Sequence, residues 1–211
     1  MPDLSFEKAA IKRGDAPSLS CIVGIDEAGR GPLAGPVSAA AVILPEGFSH
    51  DLLDDSKKLS EKKRELIYED LLADRRIQWA HSFAEADEID RINILRATHA
   101  AMARAATQLS ENINPIYCLI DGLAVPNFPF ASEGIVKGDG KSLSIAAASI
   151  IAKVKRDRKM LEYAEEFPEY GFERHKGYGT KFHLEALQEH GPIKIHRRSF
   201  APVAQLTLPL E

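Results

Sequence analysis

Residues 21–44 narrow the range of possible folds more than any other part of the chain. "CIVGID" (21–26) is an apolar run typical of a short buried strand, and "PVSAAAVIL" (36–44) is a second run rich in small and β-branched residues. The loop between them spaces its glycines as Gly29-x-Gly31-x-x-x-Gly35. A dinucleotide-binding fold would place G-x-G-x-x-G directly before a helix, whereas a proline and a strand follow this loop. The dinucleotide-binding interpretation therefore fails, and the first two strands are predicted to form an antiparallel pair.

The rest of the chain alternates between strand-like and helix-like segments. Strands are predicted over 77–85, 116–121 and 134–139, and helices are predicted after Ser60 and over 88–109, 144–167 and 181–191. Three early strands followed by helix–strand units predict an α/β fold with a mixed five-stranded sheet, in which helical crossovers add the later strands.

Composition limits the class of protein without identifying it. The chain has 211 residues, of which 45% are hydrophobic and 27% charged, and this is ordinary for one soluble globular domain. It contains no apolar run of membrane-spanning length, and its N-terminus lacks the apolar core of a signal peptide. We therefore expect a cytoplasmic protein. The net charge of −4 neither indicates nor excludes binding to nucleic acid, because local patches matter more than the total.

Acidic residues follow three of the predicted strands. Asp26 and Glu27 end the first strand, Asp121 ends the fourth, and Asp139 follows the fifth. If the first and fourth strands are neighbours, these carboxylates converge at one edge of the sheet. Four carboxylates in one place need cations, and oxygen ligands without a His or Cys cluster favour Mg²⁺ or Mn²⁺.

The same acids have a simpler interpretation. Asp121-Gly122 and Gly138-Asp139-Gly140 are ordinary turn signals, and Asp26-Glu27 also suits the start of a solvated loop. Spacing alone leaves the metal site and the turns as open alternatives.

Six segments resemble bacterial ribonuclease HII, in that family's order, over residues 22 to about 203: "GIDEAGRGPLAGPV", "DSKKLSEKKR", "LIDG", "VKGD", "SIAAASIIAKVKRD" and "FERHKGYGTKFHLEAL". The resemblance implies a ribonuclease H-like fold over 21–203, with a C-terminal helical extension at about 166–203. Residues 1–20 are then an N-terminal extension, and 204–211 form a tail. It further implies an endonuclease that hydrolyses the RNA strand of RNA/DNA hybrids and cuts at ribonucleotides embedded in duplex DNA.

The resemblance also implies roles for the four acids. The catalytic and metal-binding carboxylates of the family fall on Asp26, Glu27, Asp121 and Asp139. In the implied two-metal mechanism Asp26 bridges two ions, Glu27 and Asp121 hold one each, and Asp139 completes the second site. One ion would deliver the attacking hydroxide and the other would stabilise the departing 3′-oxygen, giving 3′-hydroxyl and 5′-phosphate ends.

Substrate contacts are implied for two groups of residues. Gly29, Arg30 and Gly31 are expected to contact the ribonucleotide, since glycines let the backbone approach a sugar closely, and Tyr178 is expected to pack on the sugar at the junction. Phosphate contacts are expected from Ser56, Lys57, Lys58, Lys153, Arg156 and Lys176. For the basic residues, a solvated helix face is the competing interpretation.

The histidines carry no prediction of this kind. His175, His183 and His196 show no metal-ligand spacing among themselves and receive no role.

Three alternative functions differ in testable ways. Ribonuclease HIII carries an extra N-terminal substrate-binding domain, and only about 20 residues precede the first strand here. A nucleic-acid-binding module without catalysis is disfavoured because all four acids are present. A phosphate- or nucleotide-binding α/β protein is disfavoured by the strand that follows the glycine loop.

The last residues suggest a protein partner. "QLTLPL" (205–210) resembles the short peptides by which bacterial replication and repair proteins bind the DNA sliding clamp, with Gln205, Leu206, Leu208 and Leu210 as the contacting residues. Pro209 favours an extended form, which suits recognition in the pockets of a partner. A tail folded back on its own domain is the alternative, and a monomer is the expected state.

Overall fold

A computed structural model describes residues 1–54, 56–111 and 116–207 of the chain. Its strands are β1 (Ile22–Ala28), β2 (Val37–Ile43), β3 (Gln78–Ala84), β4 (Tyr117–Asp121) and β5 (Ala131–Ile135). Its α-helices are α1 (Ser5–Arg13), α2 (Glu61–Ala73), α3 (Ala86–Ile92), α4 (Ile94–Ser110), α5 (Leu143–Glu166), α6 (Phe172–His175), α7 (Lys181–His190) and α8 (Ala201–Thr207).

The strands form one mixed sheet in the order β3-β2-β1-β4-β5. β1 pairs antiparallel with β2, and β2 pairs antiparallel with β3. β4 lies parallel to β1 on its other side, and β5 lies parallel to β4. The predicted mixed five-stranded sheet and its antiparallel first pair are therefore confirmed, whereas the helical crossover predicted before β5 is wrong, since the described residues between β4 and β5 contain no helix.

Helices cover both faces of the sheet, which is why the central strands are largely apolar before the acids that end β1 and β4. On one face, Val23 and Ile25 of β1 pack with the alanine-rich side of α4. On the other face, Ala40 and Val42 of β2 pack with the first half of α5. α5 crosses β1 so closely that a Cβ at Gly24 would collide with the backbone of Ser144. This close crossing fixes the start of α5 next to the strand that carries Asp26.

Three of the sequence-based element predictions need correction. The helix predicted over 88–109 is two helices, broken at Asn93, whose φ of 68° interrupts the helix and whose side chain caps α4 by accepting from Arg96 N at 3.1 Å. The strand predicted over 134–139 ends at Ile135, so Asp139 lies in a 3₁₀ turn, Gly138–Gly140. The N-terminal extension contains α1, which the sequence reasoning did not predict.

The C-terminal tail differs from the prediction in its first residues. Gln205 and Leu206 belong to α8 instead of an extended segment, because Val203 and Ala204 both donate backbone hydrogen bonds to Phe200 and start a helix across the expected boundary at 204. Leu208 and Leu210 lie outside the described residues. None of the helices in the described part of the chain has the length and apolar character needed to cross a bilayer.

Candidate active site

Three carboxylates meet at one edge of the sheet. Asp26 lies near the end of β1, and Asp121 is the last residue of β4. Because β1 and β4 are parallel neighbours, both side chains reach the same edge. Asp139 joins them from the 3₁₀ turn after β5, and one oxygen of each carboxylate lies within 4.8 Å of the other two. These three residues are called the acid triad below.

Asp26 is the buried member at the centre of this arrangement. It is 3% exposed, and its Oδ1 accepts from the backbone N of Glu27 at 2.7 Å. Burial, followed by the charges of Glu27 and Asp121, raises the pKa of the Asp26 carboxyl well above its ordinary value, although a hydrogen bond from Ser149 opposes the rise. Ionised carboxylates this close repel one another unless a cation lies among them, and an all-oxygen donor set fits a hard divalent ion such as Mg²⁺ or Mn²⁺.

The other two predicted acids have different surroundings. Asp121 Oδ1 accepts from the backbone N of Gly138 at 2.6 Å, which ties β4 to the turn that carries Asp139. Glu27 lies beside the triad instead of within it, and its Oε1 is 3.4 Å from Nη1 of Arg30. Glu27 nevertheless contributes to the negative charge at Asp26 and faces the same depression.

The triad opens into a depression of about 240 Å³, called the triad groove below. Its lining combines three of the four predicted acids with most of the residues predicted to contact substrate: Asp26, Glu27, Ala28, Gly29, Arg30, Gly31, Ser56, Asp121, Ser149, Lys153, Arg156 and Tyr178. The geometry thus places the glycine loop and Tyr178 in one concave surface with the carboxylates.

The glycine loop is held in place by a buried arginine that sequence reasoning missed. Arg197 is fully buried, and its guanidinium donates to the carbonyl oxygens of Gly29, Arg30 and Gly35, with distances of 2.8 Å to Arg30 and 3.0 Å to Gly35. Gly29 has a φ of 93°, and a Cβ there would collide with the side chain of Arg156. The loop therefore needs glycine at position 29 for its backbone path, independently of any substrate.

Two of the residues predicted to contact phosphate, Arg156 and Ser56, are buried and have partners inside the chain. Arg156 is 1% exposed and donates to the carbonyl oxygens of Ala34, Pro36 and Lys176, so its donors support the loop from inside. Ser56 is also buried, and its Oγ lies 2.8 Å from Oγ of Ser149, the residue that hydrogen-bonds Asp26.

The lysines remain predicted phosphate contacts, and three of them also contact partners inside the chain. Lys153 Nζ contacts Asp157 at 2.6 Å, Lys58 Nζ contacts Asp54 at 3.1 Å, and Lys176 Nζ donates to the Glu173 carbonyl at 2.6 Å. The side chain of Lys57 lies outside the described part of the chain.

Tyr178 stands at the rim of the triad groove with 49% of its surface exposed. A Cβ on Gly31 would come 3.6 Å from its ring, so Tyr178 and the glycine loop face each other across the groove. The exposed ring is free of the packing that a core tyrosine would have.

A chain of neutral histidines supports the loop that carries Tyr178. The backbone N of Ile193 donates to His196 Nδ1 at 3.0 Å, so the proton of His196 is on Nε2 and points to His183 Nε2, 3.0 Å away. His183 must then carry its proton on Nδ1, which donates to the Tyr178 carbonyl at 2.9 Å. Burial lowers the pKa of His183 to about 4 and that of His196 to about 3, so both stay neutral at pH 7. Sequence reasoning gave these histidines no role.

Comparisons with known proteins agree with this geometry. The family model described as ribonuclease HII matches residues 23–203. The chain belongs to the ribonuclease HII family. It is therefore a ribonuclease H enzyme, an endonuclease of RNA/DNA hybrids, and it has the ribonuclease H-like fold that the sequence predicted.

Relatives and solved structures cover most of the chain. The ribonuclease HII of Bacillus pumilus is 54% identical over 200 residues, which are 95% of this chain and 76% of that protein. The ribonuclease H2 structure from Pyrococcus horikoshii superposes with a TM-score of 0.71 at 25% identity, over 88% of this chain and 96% of that one. The ribonuclease HII of Archaeoglobus fulgidus, solved in complex with PCNA, gives 0.70 at 25% identity, over 85% and 95% of the two chains.

Proposed function

We propose that this ribonuclease H cuts the RNA strand of RNA/DNA hybrids and also cuts on the 5′ side of single ribonucleotides in duplex DNA, leaving 3′-hydroxyl and 5′-phosphate ends. The observation that supports this most strongly is the acid triad at the head of the triad groove, with one oxygen of each carboxylate within 4.8 Å of the other two. A carboxylate cluster that holds cations beside a groove suited to a sugar is what a ribose-specific phosphodiesterase needs.

The carboxylates of the site have separate roles in this proposal. Asp26, Asp121 and Asp139 hold divalent cations, Mg²⁺ or Mn²⁺, and Glu27 adds a fourth carboxylate from the side of the groove. Bound cations supply activation of the attacking water and stabilisation of the leaving oxygen. Asp26 orients its oxygens through the hydrogen bonds it receives from Glu27 N and Ser149.

In this proposal the glycine loop and Tyr178 recognise the ribose. The backbone of Gly29, Arg30 and Gly31 can approach a 2′-hydroxyl closely because two of these residues lack a Cβ. Arg197 fixes this backbone from behind, so its donors and acceptors are organised before substrate arrives. Tyr178 offers an exposed ring and hydroxyl to the sugar at the junction. Lys57, Lys58, Lys153 and Lys176 are proposed as the phosphate contacts.

A pair of duplexes that differ by one 2′-hydroxyl tests the proposal. We expect a single nick on the 5′ side of the ribonucleotide with either Mg²⁺ or Mn²⁺, and no cleavage of the all-DNA duplex. Mapping the product ends distinguishes a 3′-hydroxyl from a cyclic phosphate, which a metal-independent ribonuclease would leave. Cleavage of both duplexes at similar rates, or a cut on the 3′ side, would contradict the proposal.

The biological role that follows is the removal of misincorporated ribonucleotides and replication primers. Because these substrates are part of the bacterial chromosome, we propose that the protein acts in the cytoplasm. We also propose that it acts as a monomer.

A second proposal concerns the C-terminal residues and the sliding clamp. The Archaeoglobus fulgidus relative was solved in complex with PCNA, and residues 205–210 of this chain have the spacing of a clamp-binding peptide. Leu206 is 43% exposed on α8, so it is accessible before any docking. Docking through Gln205, Leu206, Leu208 and Leu210 would require α8 to unwind or to bind as a helix.

Titrating a sliding clamp with the full chain and with a chain ending at Ala204 tests the tail. We expect only the full chain to bind, while both cut a short oligonucleotide equally well. Equal binding of both, or no binding at tens of micromolar, about 6 kcal/mol of affinity, would show that the tail is not a clamp anchor.

A further inference from the structure

The N-terminal helix α1 lies outside the residues 23–203 that match the family model, yet the segment containing it is bonded to the turn that carries Asp139. The backbone N of Asp3 donates to the carbonyl of Lys141 at 3.1 Å, and the carbonyl of Asp3 accepts from the backbone N of Leu143 at 3.0 Å. These two bonds join residue 3 to both sides of Ser142, the N-cap of α5. The segment before β1 is therefore hydrogen-bonded to the residues that connect the turn to α5.

Glu7 makes the strongest part of this contact. Its side chain is fully buried, and Oε1 accepts from Ser142 Oγ at 2.7 Å, from Ser144 Oγ at 2.7 Å and from the backbone N of Ser144 at 3.0 Å. A carboxylate at the N-terminus of a 24-residue helix also meets the positive end of the helix dipole. Three donors on one buried oxygen fix the position of Ser142 and Ser144 relative to α1.

The same hydrogen bonds continue to the acid triad. The backbone N of Ser142 donates to the carbonyl of Gly138 at 2.8 Å, which closes the turn on either side of Asp139. The backbone N of Gly138 donates to Asp121 Oδ1 at 2.6 Å. A continuous path thus runs from Glu7 through Ser142 and Gly138 to two members of the triad.

We propose that Glu7 is a positioning residue for Asp139: from the N-terminal helix its buried carboxylate holds the 138–142 turn, and so holds the third carboxylate of the cation site in place. This inference rests on the proposed function only in taking the triad as the cation site. Glu7 touches neither cation nor substrate. Without the Glu7 carboxylate the turn adopts more conformations. The affinity for the cation then falls, because binding must also order the turn.

Calorimetric titration of Mn²⁺ into the metal-free full-length chain, without substrate, tests this directly. Glu7→Leu removes the acceptor and leaves three buried donors without it. We expect the Mn²⁺ Kd to rise roughly three- to tenfold, at the low end of what outer-shell partners of metal ligands contribute. Glu7→Gln keeps the shape and one acceptor oxygen, and it should give a smaller rise. KM for a hybrid substrate at saturating Mn²⁺ should stay unchanged in both, because α1 does not line the triad groove.

Gly14→Ala is the matched control on the same helix. Gly14 ends α1 with a φ of 83°, and a Cβ there meets no atom within 4 Å, so the change strains α1 without touching Glu7. We expect it to lower the melting temperature and leave Mn²⁺ affinity as in the wild type. If Glu7→Leu does not fold, Ser144→Ala replaces it, since that variant removes one of the three donors and keeps the carboxylate.

The outcomes separate this inference from the proposed function. Glu7 variants that lower only the melting temperature, with wild-type Mn²⁺ affinity, would overturn the inference, and so would an equal loss of affinity in Gly14→Ala. A wild-type chain that binds Mn²⁺ without cutting either duplex would contradict the proposed function, while a weaker Kd in Glu7→Leu would still support the inference.

Discussion

Single residues of the glycine loop serve two different purposes. Gly29 has a φ of 93° and no space for a Cβ beside Arg156, whereas Gly31 faces the open groove, where an added Cβ would lie 3.6 Å from the ring of Tyr178. The first glycine is therefore required by the fold, and the second by access to the groove.

Gly29→Ala and Gly31→Ala should accordingly fail in different ways. We expect Gly29→Ala to lower the free energy of unfolding by about 1–3 kcal/mol, since it combines a strained φ with a collision against a buried side chain. Gly31→Ala should fold with nearly wild-type stability and still lose cleavage at a single ribonucleotide, because its methyl group occupies the gap between the glycine loop and the ring of Tyr178. Urea unfolding and cleavage rates of the pair check this, and equal stability of the two variants would contradict it.

Tyr178 can be tested by separating its ring from its hydroxyl. If the ring packs on the sugar and the hydroxyl bonds the 2′-hydroxyl, Tyr178→Phe should lose about tenfold in kcat/KM at a single ribonucleotide, or about 1.4 kcal/mol of barrier. Tyr178→Ala should lose more, while general duplex binding changes little in either variant. Parallel losses in binding and cleavage would assign Tyr178 to duplex contacts alone.

At the residue scale, the sequence predicted the acids better than their supports. Asp26 and Asp121 were found because they end apolar runs that are typical of neighbouring strands. Arg197 could not be found, since its partners are backbone carbonyls of residues more than 160 positions away. The hydrogen bonds of Arg156 to carbonyl oxygens could not be found for a related reason: a basic residue on a helix gives no sign in the sequence of whether it points to solvent or to buried carbonyls.

Among the elements, the loop before α7 is the one whose conformation depends most on the protonation state of nearby histidines. His183 and His196 each carry one proton whose position their partners dictate, and a second proton on either would set two N–H groups against each other. The loop carrying Tyr178 should therefore loosen when either histidine becomes charged.

Two of the buried histidines, His183 and His196, contribute to the pH dependence of stability. Their folded-state pKa values, about 4 and about 3, lie below the ordinary 6.5, so the unfolded chain binds more protons in the window between. Their contribution is complete above about pH 6.5 and is lost as the pH falls towards 4. From pH 7 to pH 5 we expect a loss on the order of 2 kcal/mol for each such histidine.

Urea unfolding at pH 7 and pH 5 measures this loss. His196→Gln should reduce the difference between the two pH values, and His190→Gln, at an exposed position at the end of α7, should leave it unchanged. An equal difference between the two pH values in the wild type and in His196→Gln would contradict the assignment of a neutral, buried His196.

Element boundaries were predictable only where the chain gives local signals. The break at Asn93 was missed because the apolar positions on both sides have helical spacing, and a single residue with φ of 68° leaves that spacing almost intact. α1 had a signal that was not used: Gly14 caps it in the left-handed conformation that glycine favours. The turn at Asp139 was interpreted as strand because residues 134–136 continue the apolar pattern of β5.

At the scale of the whole molecule, topology followed from the order of elements, and convergence of the acids followed from topology. Parallel pairing of β1 with β4 is what brings Asp26 to Asp121. The position of Asp139 depends on α1 and on the start of α5, which are distant in sequence from the strands, and no local pattern encodes that arrangement.

Net charge predicts little about substrate binding here. The chain carries −4 overall, yet phosphate contacts release counterions wherever lysines meet the backbone. Log Kd for a duplex should rise with log salt concentration by about 0.9 for each phosphate contacted. Fluorescence anisotropy in Ca²⁺ at several salt concentrations measures the slope, and Lys153→Ala should reduce it by about one contact. A flat response would contradict phosphate binding by these lysines.

The acid triad is, in our proposal, the cation-dependent catalytic centre, and Asp26→Asn tests it most directly. The amide keeps the shape of the side chain and removes its charge. We predict that this variant loses Mn²⁺ binding and cleaves the single-ribonucleotide duplex at least about a thousandfold more slowly, roughly 4 kcal/mol of barrier. Its metal-free form should melt no lower than the wild type at pH 7, because the pKa of the Asp26 carboxyl is raised and its charge destabilises the fold there. Cleavage within about tenfold of the wild type, or unchanged Mn²⁺ affinity, would contradict the assignment of the triad.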